Sequence, residues 1–129
     1  MKPTSKSSAR TDLIELDESE FVDGPKVRRV RKAMKSHAAV LLLAETFKIL
    51  GDPTRIKIAY ALAQQELCVR DIATLFELSE SAVSHSLRSL RQMKLVRVRK
   101  DGKVAYYTLD DEHITHLLDE GFRHVDELI

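Results

Sequence analysis

A chain of 129 residues with 43% apolar content can form one ordinary core, and its formal net charge is +1. No apolar run reaches the length of a membrane span, the N-terminus lacks a secretory apolar segment, and the lone Cys68 rules out an internal disulfide framework. Together these point to a reducing cytoplasm. The near-neutral total conceals segregation. Residues 26–35 carry six basic side chains, residues 81–103 carry seven with only Asp101 opposed, and residues 110–127 carry seven acidic ones with only Arg123 opposed. A basic middle suits a polyanion and an acidic end suits a cation, although each is also an ordinary solvated face.

Residues 1–25 read as a polar, disordered tail ending at Gly24-Pro25, and residues 26–129 as one domain. The basic stretch that follows can form a short helix to about Met34. It could touch phosphate, cap a dimer or stay solvated. Ala38 to Leu50 is rich in Ala and Leu and reads as a buried helix, with His37 at its start in a structural role. Gly51-Asp52-Pro53 is a stop and restart: Gly ends one helix, Asp52 caps the next and Pro53 fits its first position. That helix runs to about Gln65, with Ile56, Ala59, Tyr60, Leu62 and Ala63 facing inward.

Two short helices with a tight break come next. Val69 to Phe76 buries Ile72, Ala73 and Phe76. After a turn at Leu78-Ser79, with Ser79 as N-cap, Glu80 to Met93 buries Ala82, Val83, Leu87 and Leu90. Its other side carries Ser81, Ser84, His85, Arg88 and Arg91. One apolar face anchors the helix and leaves the outward residues free for base edges, which is helix-turn-helix logic. Leu95 to Arg99 alternates like a strand, Asp101-Gly102 signals a hairpin, and Val104 to Leu109 is rich in β-formers. A hairpin directly after a recognition helix is a wing, with Arg99, Lys100 and Lys103 at its tip for phosphates. The fold class is therefore mainly α with a small β-hairpin: a winged helix-turn-helix.

The final stretch, Asp111 to Ile129, begins with Asp110 or Asp111 as cap. Ile114, Leu117, Leu118, Phe122, Val125, Leu128 and Ile129 follow the spacing of one helical face. His113 and His124 share an edge of that face but lie roughly 16 Å apart along the axis, so one ion cannot bind both on one helix. Two antiparallel copies change this, because residues meet where their numbers have a constant sum. His113 then meets the other copy's His124, and Asp111 meets its Glu127, in one register. Two imidazoles and two carboxylates make a set suited to tetrahedral Zn²⁺, for which Co²⁺ can substitute. The same residues are equally those of an amphipathic interface helix with solvated polar flanks. Asp111 and His113 converge only if Asp111 lies in the cap or in a loosened first turn. His116 and Glu120 read as solvated flank.

The order of these elements and their local wording resemble the ArsR/SmtB family of metal-sensing transcriptional repressors, nearest its SmtB-type zinc sensors. The matching residues are Leu50-Gly51-Asp52-Pro53-Thr54-Arg55, then Glu66-Leu67-Cys68-Val69 with Asp71. Ser79 to His85 with Leu87-Arg88-Ser89-Leu90 follow, and then Leu95-Val96, Gly102 and Tyr106-Tyr107. The resemblance covers about residues 37–127. It implies a homodimer, joined through its N- and C-terminal helices, that binds double-stranded operator DNA without metal and leaves it when metal binds. Ser79, Ser81, Ser84, His85, Arg88, Arg91, Arg99, Lys100 and Lys103 would contact that DNA. Family members with a thiolate site carry Cys-Val-Cys, but here the word is Cys68-Val69-Arg70, which disfavours a soft-metal site. Zinc-sensing members carry Asp-x-His and then His-x-x-Glu. Here these are Asp111-Glu112-His113 and His124-Val125-Asp126-Glu127, so the resemblance assigns Asp111, His113, His124 and Glu127 as zinc ligands. The alternative is a metal-independent winged-helix regulator. No nucleophile, phosphate loop or His-Glu-x-x-His word suggests an enzyme with a small-molecule substrate.

Overall fold

The computed structural model describes residues 17–129. The described residues divide into two units, up to residue 46 and from residue 47 to 129.

In the first unit, a 3₁₀ turn at Glu18–Glu20 precedes helix α1, Gly24–Ala33. Gly24-Pro25 opens this helix and does not stand before it. Asp23 is the N-cap, and its carboxylate accepts from the Lys26 N–H at 3.1 Å. Pro25 fits the first turn because its missing N–H has no helical partner there. Helix α2, His37–Leu50, follows, with the Ser36 hydroxyl accepting from the Ala39 N–H.

The expectation of a buried α2 is overturned. Val40, Leu41, Leu42, Leu43 and Phe47 are exposed, Leu42 at 64%, and Leu50 alone is buried. Apolar richness marks a helix that must be covered, but it does not tell whether the cover comes from the same chain.

The second unit holds the core. Helix α3, Pro53–Gln64, starts as read, with Asp52 accepting from the Arg55 N–H at 3.0 Å. It buries Ala59 and Leu62 as expected, and also Ile58, which is fully buried although the spacing does not mark it. Strand β1, Leu67–Cys68, leads into α4, Val69–Phe76, and then α5, Glu80–Gln92. Strands β2, Val96–Asp101, and β3, Val104–Leu109, form the hairpin. Gly102 takes φ 65, while Lys103 is not among the positive-φ residues, the pattern of a II′ turn that matches strand twist.

The wing is a three-stranded antiparallel sheet in the order β1-β3-β2, not a lone hairpin. Leu67 pairs with Tyr107 and Cys68 with Tyr106. Helix α6, Glu112–Asp126, closes the chain. Ile58, Ile72, Val83, Leu87 and Leu90 are each at most 1% exposed and interlock α3, α4 and α5.

Candidate functional site

The reading head is built from local capping. Glu77 ends α4 in the left-handed region at φ 56, and the Leu78 N–H closes the turn on the Ala73 carbonyl at 2.9 Å. Two residues later the Ser79 hydroxyl accepts from the Ala82 N–H at 3.0 Å and starts α5. Val83, Leu87 and Leu90 then face the core, joined by Ser86, a buried polar residue that the apolar spacing did not mark. Ser79, Ser81, His85, Arg88 and Arg91 are exposed, and Ser84 is half-buried. The outward series expected on the recognition helix therefore shares one solvent face.

On the wing, Lys100 and Lys103 are exposed at the hairpin end. Arg99 has a different surrounding. Its Nε and Nη2 donate to Glu66 Oε2 and Oε1 at 2.8 and 2.7 Å, a bidentate pair. Its guanidinium also lies 4.9 Å from the centre of the Tyr106 ring. The hydrogen bonds from Arg99 hold the Glu66 carboxyl below its usual range, and the same bonds push the Arg99 guanidinium up. Arg97 donates to the Asp110 carbonyl at 2.9 Å, which ties β2 to the segment before α6.

At α6, Asp111 itself is the N-cap. Its Oδ1 accepts from the His113 and Ile114 N–H groups at 2.9 and 3.3 Å. The cap satisfies the condition set by a two-residue spacing: His113 Nδ1 lies 3.4 Å from Asp111 Oδ1, and both side chains are largely exposed. His124 and Glu127 sit exposed in the last turn and at the C-cap. Glu120 bonds Arg123 at 3.0 Å, and His116 is exposed. Among the described residues, no group of three or more His, Cys, Asp or Glu in one chain is placed to share an ion.

The apolar face of α6 is only partly covered by its own chain. Leu118 is buried and Phe122 packs against Tyr60 with the rings tilted and their centres 4.7 Å apart, but Val125 and Leu128 are exposed. Between α6 and Phe47, Leu50 and Ile56 runs an apolar groove of about 370 Å³, where a Cβ at Gly121 would meet nothing within 4 Å. Cys68 is a half-buried free thiol in β1.

A capped helix pair with an exposed polar series on the second helix, followed by a basic-tipped sheet, defines a winged helix-turn-helix DNA-binding protein. Residues 52–98 match the family described as bacterial regulatory protein, arsR family. The chain is 41% identical over 124 residues to the "Transcriptional repressor SmtB homolog" of a Synechocystis species, covering 95% of this chain and 94% of that one. It is 40% identical over 109 residues to the "Cadmium resistance transcriptional regulatory protein CadC homolog" of Staphylococcus aureus, covering 84% and 89%. Among solved structures, it is similar to the homodimeric winged helix-turn-helix domain Mb0332 from Mycobacterium bovis, a possible ArsR-family regulator. The TM-score is 0.66 at 32% identity, covering 74% of this chain and 91% of that one. This chain belongs to the arsR family of bacterial regulatory proteins, DNA-binding transcriptional regulators and not enzymes. Among the described residues, no helix is long and apolar enough to cross a membrane.

Proposed function

We propose that the protein is a zinc-responsive transcriptional repressor. It binds operator DNA as a homodimer and loses affinity for it when zinc is held between the terminal helices of the two copies. The observation that carries the zinc site is the Asp111 cap, which folds the carboxylate back to within 3.4 Å of the His113 ring on an exposed edge. Asp111 and His113 of one copy, with His124 and Glu127 of a second, would hold the ion. Two nitrogens and two oxygens suit tetrahedral Zn²⁺ better than a softer metal, and Cys68-Val69-Arg70 offers only one thiolate. The exposed apolar surface of α2 and of the end of α6 favours a dimer, and the related Mb0332 domain is homodimeric.

On DNA, Ser81, Ser84, His85 and Arg88 read base edges in the major groove, with Arg88 suited to guanine. Ser79 and Arg91 at the two ends of the helix, and Lys100 and Lys103 on the wing, meet phosphates. Arg99 reaches the backbone only by leaving Glu66. The bound ion would supply a cross-link between subunits. Regulation then requires that the two heads be arranged differently with and without it, because an ion bound equally by both arrangements shifts nothing.

The test is an operator titration with and without Zn²⁺ on wild type and His113→Ala. Wild type should weaken about 5–150-fold with zinc, the range of typical allosteric coupling. His113→Ala should bind as tightly as metal-free wild type and ignore zinc. Equal release of both would remove the terminal helix as the switch. Release of neither, with no zinc retained in equilibrium dialysis, would favour a metal-independent regulator.

A further inference from the structure

We propose that α1 is a second DNA-contacting element, a basic helix that grips phosphates independently of the recognition helix and wing. The inference rests on DNA as the ligand of the winged module and adds a contact outside it.

The sequence from residue 24 to residue 44 contains no acidic side chain, while Lys26, Arg28, Arg29, Arg31, Lys32 and Lys35 fall within it. At about 100° per residue, Arg28, Arg29, Arg31 and Lys32 occupy one arc of roughly 160° on α1. Val27, Val30 and Ala33 lie on the other side. Arg31 is half-buried with its Nη2 enclosed, so it is not counted as a phosphate contact. Lys26, Arg28, Arg29, Lys32 and Lys35 are exposed.

A solvated helix face does not account for this distribution. Cations near a helix C-terminus offset the macrodipole, which would explain Arg31 and Lys32 in the last turn. Arg29 in the middle of the helix gains nothing that way. The first turn has no acidic residue; the cap Asp23 offsets Lys26, at 3.7 Å. A polyanion resolves the concentration of like charge, because each neutralised phosphate releases a counterion. An anionic lipid surface fits less well: such a helix needs a broad apolar face, and here Val30 is exposed but Val27 is half-buried and Ala33 is small.

The experiment measures operator affinity against salt for the full chain and for Arg29→Gln/Lys32→Gln/Lys35→Gln. Gln is close to Lys and Arg in helix propensity, so α1 keeps its reason to fold. Each lost phosphate contact flattens the log–log salt slope by about 0.9, so three per chain, doubled in the homodimer, should flatten it by about 5. The same change should appear on a duplex of unrelated sequence, because phosphate contacts carry no base information. Arg29→Lys/Lys32→Arg/Lys35→Arg should restore the wild-type slope. Lys48→Gln/Lys57→Gln, which removes two exposed cations elsewhere, should leave the slope unchanged.

An unchanged slope in the triple variant overturns the proposal. So does an equal loss per charge in the Lys48/Lys57 variant, which would reveal only a diffuse field. Sedimentation with phosphatidylserine vesicles that is lost in the triple variant, alongside an unchanged DNA slope, would assign α1 to a membrane instead. If the unmodified chain fails to bind any duplex, the regulator reading itself fails.

Discussion

The reading head and the terminal helix solve the same problem in different ways. In the head, α3, α4 and α5 bury Ile58, Ile72, Val83, Leu87 and Leu90 almost completely within one chain. The polar series on α5 is thereby backed by a closely packed core. In α6 the apolar face is buried at Leu118 and exposed at Val125 and Leu128, and its proposed ligands are split between its two ends. A site that must read a fixed lattice of bases benefits from a self-contained core. The proposed effector site, by contrast, would be incomplete until two chains meet, and so open to change.

The largest effect separates the two regions by stability. Leu87→Ala removes a fully buried side chain and should cost about 2–5 kcal/mol in urea unfolding. Val125→Ala should scarcely move that transition and should instead weaken self-association in sedimentation. A large unfolding penalty for Val125→Ala would erase the contrast.

Smaller in energy but sharper in meaning is a pair of changes at Asp111. Asp111→Ala removes both cap and carboxylate and should cost about 0.5–2 kcal/mol of stability. Asp111→Asn keeps a capping oxygen, so it should unfold like wild type yet bind zinc more weakly. If both variants bind zinc normally, Asp111 is a cap and nothing else.

The smallest effect lies on the wing. Glu66→Gln frees Arg99 from its carboxylate in both subunits, and the salt slope of operator binding should steepen by at most about 1.8, the value of one phosphate per subunit. The depressed Glu66 carboxyl gives the pair a pH signature. Its stabilising contribution is complete above the ordinary carboxylate value and is lost as pH falls through the lower folded-state value. Acid unfolding of wild type and Glu66→Gln should therefore differ at neutral pH and converge in that acidic window.

The parts of this fold legible in the sequence are those decided locally. Asp52-Pro53, Ser79 and Gly102 each announce a boundary through their own backbone chemistry, and the structure places caps and turn there. Strand β1 escaped because two residues cannot display alternation, and its pairing partner lies in β3. The Glu66–Arg99 pair spans 33 positions, beyond the reach of any spacing rule. Ile58 was missed because α3 is apolar on several sides, so no single stripe stands out. Exposure of α2 escaped for the opposite reason, since composition reports what should be covered and not by whom. At the candidate metal site, spacing selected the four residues but left the first pair about 200° apart on an ideal helix. Only the extended backbone of Asp111 as cap brings it beside His113.

The third strand has a consequence for the thermodynamics of recognition. Because β1 runs directly into α4 and pairs with β3, and because Glu66 just before it clasps Arg99, the start of the helix pair and the wing share one piece of sheet. The head meets DNA with its relative orientations already chosen. Association then forfeits little internal entropy, and more of each contact made in the groove survives as affinity.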